Sequence, residues 1–197
     1  MIVASNHVSY LDPFVIGWVC LLRRRRVRFL AKQELFEKPA LRWILENARQ
    51  IPVSRGTDAA SGSLEAARGA LHAGELVCVF PEGTISTDLD PMPGKTGVAR
   101  LAMQTGASVV PLGIWGAHRL LTKGQKPRPA WGVAQSVIAG PPMRFSAEDD
   151  VHVTTDAIMA AVVQCVARAR AIYPQRQPGA WWDRAPEDAV LRPTPRT

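Results

Sequence analysis

The apolar positions of the chain fall into two alternating patterns. Short runs of Val, Ile and Leu predict strands at Ile2–Ser5, Val27–Ala31, Ile51–Val53, Glu75–Phe80, Ser108–Trp115 and Val133–Ala139. Between them, apolar residues recur every three or four positions, the spacing of a helix with one buried face. This spacing predicts helices at Pro13–Leu22, Pro39–Ala48, Ser61–Ala73 and Thr96–Thr105. A long helix follows, beginning at Thr154 or Thr155 and stopped by Tyr173-Pro174. The inner faces expected are Leu41, Ile44 and Leu45, then Leu64, Ala67 and Leu71, then Ile158, Val162, Val166 and Ala169. Gly74 and Gly106 stand where a left-handed residue closes a helix.

Strand and helix alternate from end to end. That is the mark of a single α/β domain with a largely parallel or mixed central sheet flanked by helices. The domain is read as residues 1–173, with a front end that a truncation would shorten. The remainder, 174–197, is rich in proline and poor in periodicity, so a loose tail is expected there, fastened at most by Trp181-Trp182.

Composition adds bounds. A chain of 197 residues with 47% hydrophobic and 21% charged positions has ample length for one core. Its three cysteines, Cys20, Cys78 and Cys165, are far apart in apolar contexts and give neither a disulfide framework nor a metal-ligand spacing. The formal charge of +7 calls for an anionic partner, and it is front-loaded. The first 60 residues carry ten Lys and Arg against five Asp and Glu, with Arg23-Arg24-Arg25-Arg26 directly after an apolar helix. That order suits either a solvated helix end or an interfacial anchor. Aromatic interleaving is absent, which argues against nucleic acid. The apolar run Phe14–Leu22 is shorter than the roughly 20 residues that span a bilayer, and nothing resembles a signal peptide.

The candidate chemistry begins at Asn6-His7-Val8-Ser9-Tyr10-Leu11-Asp12-Pro13. Proline favours the first helical position and Asp the position before it, so Asp12 reads as a helix cap and His7–Leu11 as a turn. From there the carboxylate can fold back onto the imidazole, fix its tautomer and leave the other ring nitrogen as a base. This is the His-Asp half of a hydrolase triad without its serine. A substrate hydroxyl in the vacant place makes the reaction a transfer to an alcohol. A single His-x4-Asp spacing also arises by chance, so the weight rests on the turns that follow. Ser54–Gly56 and Pro81–Thr84 end strands of the same predicted sheet, where ligands gather. Arg55 offers a forked cation for phosphate, Gly83 a close backbone approach, Thr84 a hydroxyl and Lys95 a cation at a helix start.

Together and in this order the blocks resemble the glycerolipid acyltransferase family, the bacterial 1-acyl-glycerol-3-phosphate acyltransferases and their relatives. The first block is Asn6–Asp12, the second Ile51-Pro52-Val53-Ser54-Arg55-Gly56, the third Phe80-Pro81-Glu82-Gly83-Thr84 and the fourth Val110-Pro111-Leu112. The resemblance spans residues 1–120. It implies His7 as general base oriented by Asp12, acting on an acyl thioester carried by coenzyme A or acyl carrier protein, without an acyl-enzyme and without a cofactor. It implies Arg55 on the acceptor's phosphate, with Glu82, Gly83, Thr84 and Lys95 shaping that site. The partners implied are the thioester donor, a lysophospholipid acceptor and a phospholipid surface, with the enzyme peripheral on the cytoplasmic side of the cell membrane. Three departures stand out. Ile85 follows Thr84 where the family often has arginine, Ser54 stands where many members carry an acid, and only six residues precede His7. A different hydroxyl acceptor, or a catalytically silent lipid-binding relative, is the alternative.

Overall fold

The structure is a computed structural model that describes residues 1–53 and 57–191. Six strands form one sheet: β1 (Ile2–Ser5), β2 (Val27–Lys32), β3 (Ile51–Val53), β4 (Leu76–Val79), β5 (Val109–Trp115) and β6 (Ser136–Ala139). Their order is β3-β2-β4-β1-β5-β6. All neighbours are parallel except β5 and β6, which are antiparallel, with Gly113 opposite Ile138. The helices are α1 (Asp12–Leu22), α2 (Gln33–Phe36), α3 (Pro39–Asn47), α4 (Thr57–His72), α5 (Gly97–Thr105) and α6 (Val151–Ala171). The expected single α/β domain with a mixed, largely parallel sheet is the architecture observed.

Parallel strands are buried on both faces, which is why they read as unbroken apolar runs. One face carries Ile2, Ala4, Val77, Val79 and Val109 and is covered by α4, α5 and α6. The other carries Val3, Phe29, Cys78, Leu112 and Ile114, and there α1 packs through Ile16. The chain therefore leaves β1 toward one face, through α1, and leaves β4 toward the other, through α5. β1 and β4 are adjacent, so the sheet reverses its winding between them. In open α/β sheets the crevice at the carboxyl ends of such a pair is where ligands bind.

Four expectations need correction. Asp12 is the first helical residue and does not cap α1; its carboxylate turns back to the preceding turn instead. α6 starts at Val151, earlier than Thr154, because the Asp150 side chain accepts from the N–H groups of His152 and Val153 and caps it there. The inner face expected of α3 is only partly formed: Ile44 is half exposed while Leu45 is half-buried, the Leu41 side chain lying outside the described residues, and α3 packs mainly on the short α2. Nor is 174–191 loose. Trp182 is buried, its carbonyl oxygen is 3.0 Å from His118 Nε2, and Arg119 lies 3.9 Å over its ring.

The closest packing is α6 on β5. A Cβ at Gly113 would stand 2.2 Å from the Cys165 carbonyl carbon and 2.4 Å from Val166 N, so only glycine lets the helix backbone reach the strand. Gly113→Ala is expected to destabilise the protein by about 1–3 kcal/mol, as overpacking does. Gly69→Ala is the control: it lies in α4 with nothing within 4 Å of its Cβ position, and it is expected to stabilise by about 0.5–1 kcal/mol. Urea unfolding of both variants checks the pair, and equal effects would show that the close approach is not a constraint.

Candidate active site

β1 delivers Ser5 to the carboxyl end of the sheet, and the chain then turns through Asn6–Leu11 into α1. The turn is tied down from several directions. Asn6 pairs with β5 through both ends of its amide: Nδ2 donates to Ile114 O at 3.1 Å and Oδ1 accepts from Ile114 N at 2.8 Å. Thr122 Oγ1 donates to Val8 O, and Ser9 Oγ donates to Leu121 O. Asp12 closes the turn with one oxygen. Oδ2 accepts from Val8 N and Ser9 N, both at 2.7 Å, and lies 3.0 Å from His7 Nδ1.

The imidazole and carboxylate are thus in contact as the sequence suggests. Asp12 is fully buried, and the His7 side chain is 17% exposed. Burial pushes the Asp12 carboxyl above its ordinary range, opposed by the bonds from His7, Ser9 and Val8. With Nδ1 engaged, Nε2 is the nitrogen left for a substrate. The ring stacks on Phe80 at the end of β4, centroids 4.1 Å apart and planes 18° from parallel.

The turn after β4 supplies the next three candidates. Gly83 has φ +69°, and its missing Cβ is where Lys95 lies: that Cβ would be 3.0 Å from Nζ. Lys95 N donates to Pro81 O at 2.9 Å, which ties the two ends of the loop together. Gly83 and Lys95 are exposed and Thr84 half-buried. Glu82 is placed differently, only 4% exposed. Its Oε1 accepts from His7 N at 2.9 Å and its Oε2 from Met92 N at 3.1 Å. Burial pushes its carboxyl up to about 8, against those two N–H groups.

Arg55 lies outside the described residues, as does the rest of the Ser54–Gly56 turn. The end of β3 at Val53 stands three strand positions from β1, about 14 Å at the usual spacing. Ile85, at the position where the resemblance would put arginine, is buried.

Several residues that hold the site escape the sequence reading. Asn6 and Ser9 stand inside the first block, so their place was signalled though not their bonds. Thr122 and Ser86 had no signal: a hydroxyl in a loop is common, and only the fold brings these two to the His7 turn. Ser86 N donates to His7 O at 2.8 Å.

Comparison with known proteins adds a lineage. A 1-acyl-sn-glycerol-3-phosphate acyltransferase of Limnanthes douglasii is 33% identical over 122 residues, 61% of this chain and 42% of that protein. One from Neisseria gonorrhoeae is 32% identical over 111 residues, 56% of this chain and 42% of the other. The chain therefore spans less than half the length of these relatives. The crystal structure of the 1-acyl-sn-glycerophosphate acyltransferase of Thermotoga maritima superposes with a TM-score of 0.65 at 25% identity, covering 90% of this chain and 68% of that one. The acyltransferase family model matches residues 1–115, the part that holds the His7 turn, Asp12 and the loop after β4. On that match, over more than half of its length, the chain belongs to the acyltransferase family.

Proposed function

We propose that the protein transfers a fatty acyl group from a thioester, acyl-CoA or acyl-ACP, to the free hydroxyl of a lysophosphatidate-like lipid. The observation that carries this reading is the His7–Asp12 contact at the point where the sheet reverses its winding, in a chain of this family. His7 Nε2 removes the hydroxyl proton as the oxygen attacks the thioester carbonyl. The tetrahedral intermediate collapses with loss of the thiolate, which takes the proton back from the imidazolium. Asp12 holds the tautomer and stabilises the imidazolium. Gly83, Thr84, Lys95 and Arg55 bind the acceptor's phosphate, with Lys95 laid over Gly83. Glu82 contributes from behind: both of its oxygens are spent on backbone N–H groups, so it shapes the site by holding His7.

His7→Ala is expected to lower acceptor-dependent thiol release from acyl-CoA by about 10²- to 10⁴-fold, with the fold retained. Full activity in that variant would sink the mechanism. The buried Ile85 favours a second reading, a hydroxyl acceptor with a smaller anionic head group or none. Running the same assay with lysophosphatidate beside uncharged monoacylglycerol separates the two.

Glu82 gives a pH signature. Its carboxyl sits at about 8 in the folded protein against an ordinary 4.5. The folded state therefore binds this proton more tightly than the unfolded chain. The resulting stability is fully present below the ordinary value and is lost as pH rises toward about 8. Glu82→Gln cannot ionise, so its urea midpoint should gain on the wild type steadily across that window. A constant difference would show that Glu82 is not titrating there.

The lipid surface is part of the same proposal. Among the described residues no helix is long and apolar enough to cross a membrane. α1 turns Phe14, Trp18, Leu21 and Leu22 outward, at 70%, 65%, 57% and 66% exposure, just before Arg23–Arg26. A groove of about 660 Å³ along it, lined by Leu11, Phe14, Trp18 and Val137, opens beside the His7 turn. Apolar side chains followed by arginines suit the interface of an anionic membrane. Trp18→Asp combined with Arg25→Glu is expected to weaken co-sedimentation with phosphatidylglycerol vesicles at least about tenfold. Unchanged sedimentation would place the lipid contact elsewhere.

A further inference from the structure

We propose that Arg170, near the end of α6 and outside every motif of the sequence, is a positioning residue for His7. Arg170 and Asp90 form an ion pair at 2.8 Å in which both side chains are fully buried. The same Nη2 donates to Leu89 O at 2.9 Å, Nη1 donates to Ala185 O at 3.4 Å, and the guanidinium lies 4.3 Å over the Trp115 ring. Leu89 has φ +66°, a conformation that leucine keeps only where its surroundings hold it. Its carbonyl is one that Arg170 takes.

From Asp90 the bonds lead to the base. Ser86 Oγ donates to Asp90 O at 2.7 Å, and Ser86 N donates to His7 O at 2.8 Å. Glu82 takes the N–H of the same residue and, with its other oxygen, the N–H of Met92. The segment 82–92 thus grips the His7 backbone by its N–H and its C=O, and Arg170 anchors that segment to α6. A buried ion pair is a poor device for stability alone, because apolar replacement of both partners is often neutral. Its value lies in fixing one geometry, and here that geometry ends on His7. Misplacing a catalytic group slightly is costly to rate.

The inference rests on His7 being the base, and the test keeps the two apart. Wild type, Arg170→Lys and the double variant Arg170→Met/Asp90→Asn are compared by three readouts. Amide exchange follows the Ser86 N–H, NMR follows the His7 ring through a pH titration, and steady-state kinetics follow acyl transfer. Expected are faster exchange at Ser86, a displaced His7 titration, and kcat reduced about 10- to 100-fold with KM within about twofold. A folded double variant with wild-type exchange and titration overturns the proposal. If the double variant does not fold, Arg170→Lys, which keeps the charge and loses the fork, is read the same way; failure of both to fold assigns Arg170 to global stability and also overturns it. Exchange and titration need no turnover, so an inactive wild type would refute the acyl-transfer reading and leave this one to be decided by the other two.

Discussion

One carboxylate oxygen organises this site. Asp12 Oδ2 receives Val8 N, Ser9 N and His7 Nδ1, and three donors can converge on one atom only if the chain between them closes into a tight turn. The turn and the orientation of the imidazole are therefore a single event. Because Asp12 is the first residue of α1, its charge also sits at the positive end of the helix dipole. These donors offset part of the cost of burying the carboxylate, and burial still pushes it above its ordinary range. Removing the imidazole leaves a buried carboxylate with two backbone partners, so the aspartate and histidine are a unit in folding.

The sheet's two faces are unequally covered, and α1 shows the consequence. Three helices pack on the face of Ile2, Val77 and Val109, whereas α1 packs on the other with Ile16 inward and Phe14 and Trp18 outward. A helix apolar on both sides is normally sandwiched between other elements. Here the same eleven residues place Asp12 at one end and an exposed apolar side ahead of four arginines at the other. The His7 turn and the outward apolar surface are thereby held in fixed relation by one rigid element.

The architecture was largely legible because parallel strands must be apolar throughout and the intervening helices amphipathic, and both periods are printed in the sequence. The His7–Asp12 contact was legible for a different reason: the two residues are joined by a short turn, so the chain itself keeps them close. What failed was whatever depended on partners distant in sequence. For Glu82 the resemblance implied a place in the acceptor site, but nothing local showed that its carboxylate accepts from the backbone N–H groups of His7 and Met92. The α3 face was inferred from periodicity, which shows that a helix can bury a side but not that anything lies against it. The segment 174–191 looked loose because prolines erase periodicity; Trp181-Trp182 marked where it is fastened, but not that Trp182 would pack through Arg119 and His118.

The reach from α6 to the loop that holds the His7 turn depends on register. Gly113 lets the backbone of α6 touch β5 at Cys165 and Val166. From Val166 to Arg170 the helix advances about 6 Å; from Gly113 to Trp115 the strand advances about 6.6 Å. The two rises match, and both run toward the carboxyl end of the sheet, so one close contact at a glycine brings the guanidinium of Arg170 over the ring of Trp115. From that place its fork meets Leu89 and Asp90. A helix held farther off by a side chain at position 113 would lose this alignment before it lost its apolar packing, because apolar contacts tolerate a small slide and a buried two-pronged ion pair does not.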